Sequence, residues 1–410
     1  MSGISKCGRV EKLTLTFFLN PPWCKLPGCK LLAGMLRMTE NLQELCLDFK
    51  ENDTLEYIDV SESDLCFLGV EALVYALDTN KTLRTLDIGY VESTLLERVV
   101  LTEHLIEQKL YGRVSLRWRE VDTFGLRAAL LEPAEWLTSV YLDRNEFCDE
   151  SFTALCSALS SNCHVRDLTV HLWSTASPQV RDLLQQNQSL RTVKLIEGYS
   201  GSGITIEEAV GLGSNRSVEE LSLACTEIGL ESAQQLSQLL RSNQALRKVT
   251  VSCQYVPNPQ CLAVVAEGLL QNLFITHFSL AQERGMDCSV PTMLTAVQRN
   301  ATSLHRAVRF VLGKNRDKVC AEAFELLEFK PSLLSAVTSN SALTEAEAHS
   351  AAWSARRFIR HNYLHINRVV RERVECYPGK GTQIDRLNAD CWLVIVEYLK
   401  VSDIVDKQRS

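Results

Sequence analysis

One short pattern of apolar and polar positions returns along most of the chain. In its clearest copy, from Leu137 to Leu142, an apolar residue is followed by two spacers, an apolar residue, one spacer and a third apolar residue. The pattern starts again at positions 165, 190, 218 and 246, so successive copies are 28, 25, 28 and 28 residues apart. A recurring step of this size indicates a solenoid, in which each repeat buries its apolar face against its neighbours.

Each repeat is predicted to contain one strand and one helix. The last two apolar residues of the pattern are two apart, which is typical of a strand with one buried face. Between copies the apolar residues recur three and four positions apart, as from Leu230 to Leu240, which is the spacing of an amphipathic helix. An Asn stands before four of the five copies, where we expect it to end the helix: Asn162, Asn187, Asn215 and Asn243.

Ten strands are expected in all. The pattern also begins at positions 10, 42, 83, 111 and 275, and the step from 42 to 83 is 41 residues. We assign this longer step to an insertion around Glu51 to Asp64. The segment from Asn20 to Cys24 interrupts the pattern and is expected to form a terminal cap.

Downstream of Asn300 the strand pattern stops and helical spacing takes over. Helices are expected over 303–312, 319–327, 333–338, 345–374 and 390–399, with a Pro- and Gly-containing linker before the last one. The predicted domain limits are a cap with the first repeat at 1–40, repeats at 41–299, a helical extension at 300–376, a linker at 377–386 and a C-terminal segment at 387–410.

These repeats resemble the leucine-rich repeat family, in particular its ribonuclease-inhibitor type. In the copy from Leu137 to Asn162, the family's Asn and helix anchors correspond to Asn145, Phe147, Phe152, Leu155 and Leu159. Only Asn145 fills the family's Asn position after the strand, so an irregular horseshoe without a regular Asn ladder at that position is expected. Similar repeats form the sensor region of NACHT-type immune receptors. The resemblance implies an α/β leucine-rich-repeat horseshoe solenoid, with parallel strands on the concave face, helices on the convex face and a C-terminal α-helical extension.

Composition and charge limit the classes of partner and the cellular compartment that we expect. The chain is 46% hydrophobic and 23% charged, as in soluble globular proteins. A net charge of −7 over 410 residues gives no strong attraction to nucleic acid or membrane. The N-terminus lacks the apolar core of a signal peptide, and fifteen Cys without a regular framework indicate free thiols. We therefore expect a cytoplasmic protein that binds neither membrane nor nucleic acid.

No residue set in the sequence indicates catalysis, a cofactor or a metal. The two Gly-rich segments, 201–203 and 379–381, lack the spacing of a phosphate-binding loop. The eight His residues are scattered, and no Ser, His and Asp set stands at an elbow motif. The spacing of four Cys is too irregular for a zinc site: Cys7, Cys24, Cys29 and Cys46.

The strand face is the candidate surface for a protein partner. Two positions after the last apolar residue of the first four strands stand aromatic residues: Phe17, Phe49, Tyr90 and Trp118. They are either an exposed ladder of binding anchors or rings turned into the core. Strand spacers of mixed charge favour a protein surface over nucleic acid: Asp87, Arg113, Arg117, Tyr141, Asp143, Asp167, Lys194, Glu220 and Lys248.

The helix that follows Trp353 is distinctly basic. Six Arg lie between positions 356 and 373, beside apolar residues that can pack on one side. A capping helix with a solvated Arg face is the first interpretation. A docking surface for an acidic partner or RNA is the alternative.

The C-terminal segment resembles the opening half of an F-box. The family's anchors correspond to Leu387, Ile395, Leu399, Asp403 and Ile404, whereas Asn388 stands in place of the family's Pro and the second half is absent. The resemblance implies docking to the adaptor subunit of a ubiquitin ligase by insertion of apolar helix residues. The function expected first is a non-enzymatic interaction scaffold. The alternatives are a substrate receptor of a cullin-RING ubiquitin ligase and, for this segment, a plain C-terminal docking helix.

Overall fold

The structure is a computed structural model. It describes residues 12–14, 57–59, 67–79, 84–89, 91, 93–132, 137–173, 177–198, 203–282, 287–369, 387 and 389–404. The chain divides into two compact units, the first made of residues 1–243, 250–264 and 280–288, the second of 244–249, 265–279 and 289–410.

The strands of the described residues form one open sheet, in which ten strands follow each other in chain order. The pairs from the first to the eighth strand are parallel. The strands are β1 (Lys12–Thr14), β2 (Tyr57–Asp59), β3 (Thr85–Gly89), β4 (Val114–Trp118), β5 (Ser139–Asp143), β6 (Asp167–Leu172), β7 (Thr192–Glu197), β8 (Glu220–Cys225), β9 (Lys248–Cys253) and β10 (His277–Gln282).

Helices alternate with these strands from β2 onward. They are α1 (Phe67–Thr79), α2 (Leu95–Glu107), α3 (Thr123–Leu131), α4 (Asp149–Ser161), α5 (Pro178–Gln186), α6 (Ile204–Ala209), α7 (Leu230–Ser242) and α8 (Pro259–Gln271). After β10 come α9 (Pro291–Val311), α10 (Lys318–Leu327), α11 (Pro331–Ser339), α12 (Glu345–Ile366) and α13 (Ala389–Glu397).

This arrangement confirms the predicted α/β leucine-rich-repeat solenoid. The apolar positions of the repeat point into the core, since Leu86 and Ile88 of β3 are 1% and 0% exposed. Alternate strand residues stay outside, so β6 and β8 both show a strict alternation of buried and non-buried positions. In α7 the residues spaced by three and four are buried, as the amphipathic spacing predicts: Ala233, Leu236, Leu239 and Leu240.

The second strand differs from the prediction. β2 (Tyr57–Asp59) lies inside the segment that was assigned to an insertion, and Ile58 pairs with Leu86 of β3. The separation is again 28 residues, and Leu55 to Val60 carries the same spacing of apolar residues as the other copies. The prediction of an insertion at 51–64 is therefore wrong, because this segment contains a strand of the sheet. The copy at 42 and the cap at 20–24 lie outside the described residues.

An Asn ladder joins the repeats, at a different position from the one expected. Asn187 ends α5, is fully buried and donates from its amide to the carbonyls of Leu159 and Asn162, at 2.7 and 3.0 Å. Its Oδ1 accepts from the backbone N–H groups of Ser189 and Leu190. Asn162 and Asn215 make the corresponding bonds one repeat earlier and later. Each Asn thus satisfies backbone groups of two successive repeats.

The helices of the second unit enclose their own core, in which Phe310, Phe324 and Ile359 are buried. Helix α9 continues through position 300 without a break. The start predicted for the helical extension, residue 300, therefore lies within this helix. Helix α11 begins at Pro331, a residue that is favourable at the first position of a helix. The linker predicted at 377–386 lies outside the described residues.

Candidate functional site

A cluster of polar and aromatic side chains lies at the ends of strands β4, β5 and β6. Strand pairing places Arg117 opposite Tyr141, and Asp143 opposite His171. Trp173 follows β6 directly. We name Arg117, Tyr141, Asp143, His171 and Trp173 the strand-end patch. Arg117 is exposed, Asp143 is largely buried and the other three are half-buried.

Asp143 is the centre of this patch. Its Oδ1 accepts from the indole N–H of Trp173 at 2.7 Å and from the backbone N–H of Asn145 at 3.1 Å. Its Oδ2 lies 3.2 Å from Nδ1 of His171. Burial raises the pKa of Asp143, but the three hydrogen bonds outweigh it and bring the pKa below the usual range. The carboxylate therefore fixes the orientation of both ring side chains.

The other half of the patch is a contact between a cation and a ring. The guanidinium carbon of Arg117 lies 5.0 Å from the centre of the Tyr141 ring. Such a contact holds a long cationic side chain in one orientation. Burial raises the pKa of Tyr141, and the nearby Arg117 opposes this shift.

Buried contacts beneath the sheet hold the end of β4 in place. Arg98 of α2 is 1% exposed and donates to Oδ2 of the fully buried Asp122 at 2.7 Å. The same guanidinium donates to the backbone carbonyl of Arg117 at 3.3 Å. Thr102 donates to the other oxygen of Asp122 at 2.6 Å. Because the ion pair is desolvated and hydrogen-bonded, it fixes the strand that carries Arg117.

The patch has the features of a recognition surface. The contact of His171 with Asp143 is of the kind that orients a general base in some enzymes. Within the described residues, however, no hydrogen bond joins His171 to a hydroxyl or thiol that could act as the nucleophile. What the arrangement offers is two aromatic faces, an exposed cation and a carboxylate in fixed positions. Side chains of these types, held in place by their neighbours, are typical binding anchors.

The predicted aromatic ladder needs a correction. Trp118 is 0% exposed and stacks on Tyr111, with ring centres 5.0 Å apart. Residues two apart in a strand point to the same side, so Trp118 follows the buried Leu116 into the core. The equivalent residues of later strands, Leu172 and Cys225, are buried too. Trp118 is therefore a core residue, while Phe17, Phe49 and Tyr90 lie outside the described residues.

The remaining predicted strand-face residues are spread over the sheet. Lys194 is exposed, and its strand position is separated from that of Tyr141 by Thr169 of β6. Asp87 is half-buried on β3, opposite Ser115. Arg113 precedes β4 and donates to the carbonyl of Leu77 at 3.0 Å. Arg113 thus ties a turn to the end of α1, which corrects its assignment to the strand face.

Two members of the patch were missed by the sequence analysis, His171 and Trp173. Both Asp143 and His171 follow the last apolar residue of the repeat pattern by one position, so the repeat register already places them side by side. Trp173 occupies the family's Asn position. No sequence pattern shows that its indole reaches back by one repeat.

The residues of the F-box-like segment lie partly against the second unit. Leu399 and Ile404 pack on its core, Leu387 is half-buried, and Ile395 is 38% exposed on α13. Asp403 accepts from the backbone N–H of Lys400 at 2.7 Å and thereby caps the short turn 401–403.

Backbone groups of the same segment are also engaged. Tyr363 donates to the carbonyl of Lys400 at 2.9 Å, and Glu325 accepts from the N–H of Val401 at 2.8 Å. Two of the five proposed adaptor anchors, Leu399 and Ile404, thus already pack against other residues of the second unit.

Across the described ranges, no group of three or more His, Cys, Asp or Glu is arranged to hold a metal ion. The four Cys considered as zinc ligands lie outside those ranges. No helix within them has the length and apolarity needed to span a bilayer.

Comparison with known proteins gives distant structural similarities. No protein-family model and no curated protein matches the chain. The leucine-rich repeat-containing protein LegL7 of Legionella pneumophila is 14% identical with a TM-score of 0.42, over 72% of this chain and 91% of that one. The leiomodin-1 actin-binding site 2 is 14% identical with a TM-score of 0.31, over 46% and 94%. The tropomodulin C-terminal domain of Caenorhabditis elegans is 15% identical with a TM-score of 0.27, over 45% and 96%. At these values we take no function from the matched proteins.

Proposed function

We propose that this chain is a non-enzymatic interaction scaffold whose strand-end patch binds a partner protein. The observation that supports the proposal most directly is the hydrogen bonding of Asp143, which holds the Trp173 and His171 rings at the sheet surface. Ordering aromatic side chains before binding lowers the entropy lost on association. The ribonuclease-inhibitor type of repeat is the finer family assignment that goes with this proposal.

The chemistry of the patch favours a partner with an acidic or hydrogen-bonding group beside an apolar one. Arg117 offers an exposed guanidinium above the ring of Tyr141, and such a pair accepts a carboxylate next to an apolar contact. Lys194 adds a second exposed cation along the same row of the sheet. Nucleic acid is a poorer match, since the strand face also carries Asp143, Asp167 and Glu220.

Quantitative affinity purification from cell lysate tests the proposal. Arg117→Glu reverses the exposed charge of the patch, and Arg216→Glu makes the same change on an exposed turn before β8, away from the patch. We expect a specific partner to be recovered by the wild-type chain and by Arg216→Glu, and to be lost with Arg117→Glu. Equal recovery by all three, with purified variants that fold normally, would contradict the proposal.

A substrate receptor of a cullin-RING ubiquitin ligase is the alternative proposal. It would dock the ligase adaptor through Leu387, Ile395, Leu399, Asp403 and Ile404. Its support is weaker, because Leu399 and Ile404 pack on the second unit. Binding of purified adaptor to the full chain, lost with Ile395→Ala, would favour this function, and no binding would exclude it.

A further inference from the structure

A groove lies between helices α12 and α13 of the second unit, on the basic helix for which the sequence left a docking surface as the alternative. It encloses about 500 Å³ and is lined by Trp353, Arg356, Arg357, Arg360, His361 and Leu393, among others. This volume is within the range of small-ligand sites. We propose that the groove binds an acidic peptide segment of a partner protein, one that carries an apolar side chain next to its carboxylates.

The charges of the groove support this occupant. Arg356 donates to Glu328 at 2.7 Å and Arg360 to Glu397 at 2.5 Å, whereas Arg357 is exposed and has no partner among the described residues. The groove therefore has one guanidinium in excess, and no acidic side chain is among the described residues that line it. The local excess of positive charge is opposite in sign to the net charge of the chain, which is −7.

The two ion pairs also give the groove a fixed geometry. Glu328 and Glu397 each engage a single terminal nitrogen of an Arg. A guanidinium has five N–H donors, so both Arg356 and Arg360 retain donors for a ligand. Their orientation is set before a ligand arrives, which is the condition for bidentate recognition of a carboxylate.

Trp353 supplies the apolar part of the site. Its side chain is 59% exposed, although large aromatic rings are costly to leave in water. Phe329 contacts one side of the indole, with ring centres 4.7 Å apart, and so limits its motion. With Leu393 nearby on α13, the exposed indole face can receive an aliphatic or aromatic side chain.

RNA is the less suitable occupant. Binding of a nucleic acid strand draws on several phosphate contacts and on successive stacking rings. The charges of Arg356 and Arg360 are balanced by Glu328 and Glu397, so the groove has one guanidinium without a carboxylate partner and one exposed ring for a strand. An acidic peptide needs only one carboxylate and one apolar contact at this spacing.

Fluorescence anisotropy with the full chain tests the proposal. The probe is a short fluorescein-labelled peptide of Asp and Glu with one central Leu. The matched probes are the same peptide with Asn and Gln, and a fluorescein-labelled oligouridylate. We expect the acidic peptide to bind in preference to both other probes, and Arg357→Gln to weaken binding by about tenfold.

The control variant is Arg309→Gln, which removes an exposed Arg of α9 that does not line the groove. It should keep the wild-type affinity, while Trp353→Ala should weaken binding, and circular dichroism checks that each variant is folded. The proposal is overturned if the acidic peptide does not bind, if Arg309→Gln weakens binding as much as Arg357→Gln, or if the oligouridylate binds more tightly than the peptide. None of these results bears on the strand-end patch, which lies in the other unit.

Discussion

At the scale of single residues, the position of the Trp173 indole depends on a glycine in the next repeat. A Cβ added at Gly198 would lie 2.6 Å from Cε3 of that indole, which is well inside van der Waals contact. The indole is also the donor to Asp143. The absence of a side chain at position 198 thus leaves the space that the Trp173 indole occupies in the strand-end patch.

We expect Gly198→Ala to push the indole away from Asp143. The loss of stability should be roughly 1–3 kcal/mol, as for overpacking in a core, and binding of the partner should fall. The matched control is Gly229→Ala, since nothing lies within 4 Å of a Cβ added there. Urea unfolding and tryptophan fluorescence of both variants measure the difference, and equal effects would contradict this role of Gly198.

A second residue-scale prediction concerns the buried carboxyl of Glu208. Its side chain is 0% exposed, and burial raises its pKa to about 7. Between pH 4.5 and about 7 the folded chain therefore holds a proton that the unfolded chain has released. By linkage, the free energy of unfolding must fall as the pH rises through this window.

Glu208→Gln should reduce that fall by on the order of 2 kcal/mol and leave stability at low pH nearly unchanged. The control Glu103→Gln, at an exposed position of α2, should keep the wild-type dependence. The measurement is urea unfolding of each variant at pH 4.5 and pH 8. A Glu208→Gln profile that follows the wild-type one would contradict the assignment.

At the scale of elements, the Asn ladder explains why the repeats keep their spacing. The amide of Asn215 donates to the carbonyls of Leu184 and Asn187, and its Oδ1 accepts from the N–H groups of Ser217 and Val218. These are the groups left unpaired where one helix ends and the next strand begins. The side chain of Asn215 therefore joins the backbone just before β8 to the backbone of the preceding repeat at Leu184 and Asn187.

Removing this side chain should be costly. Asn215→Ala would leave several buried backbone groups without partners, and we expect a loss of roughly 3 kcal/mol in the free energy of unfolding. Arg216→Ala, at the next and exposed position, should change stability by no more than about 0.5 kcal/mol. Urea unfolding followed by circular dichroism tests both, and a loss of under about 1 kcal/mol for Asn215→Ala would show that the ladder is dispensable.

The elements also show what sequence can and cannot predict here. Strand positions from β3 to β10 followed from spacing alone, because each repeat presents its apolar residues to the same core. β2 was missed although Leu55, Ile58 and Val60 fit the spacing, since a competing copy at 42 was preferred. The inward turn of Trp118 follows from strand alternation. The contact of Trp173 with Gly198 does not, because it depends on packing between repeats.

At the scale of the whole molecule, the C-terminal segment is part of the second unit. Val401 is 0% exposed and belongs to the core of that unit, as does Val396. A segment that serves only as a detachable docking helix would leave such residues exposed. This packing is why the F-box hypothesis has less support than the scaffold.

We therefore expect Val401→Ala to destabilise the second unit by roughly 2 kcal/mol through the cavity that it leaves. Ser402→Ala, at the exposed neighbouring position, should have little effect. Hydrogen exchange of α10 and α12 reports on this unit directly. Unchanged protection in the Val401→Ala variant would mean that the segment detaches at little cost, as adaptor docking requires.

The central claim is that a partner protein binds the strand face. Its main competitor is the helix side of the first unit, where Phe124 of α3 is 80% exposed and Leu96 of α2 is 75% exposed. Thr169 lies on the strand face between Tyr141 and Lys194. A photo-crosslinking amino acid at either Thr169 or Phe124 can separate the two surfaces.

The deciding measurement is crosslinking in cell lysate from each position, with the crosslinked protein identified by mass spectrometry. We predict a specific crosslinked protein from position 169 that is lost when Arg117→Glu is added, and none from position 124. A partner that crosslinks from position 124 and not from position 169 would contradict the account.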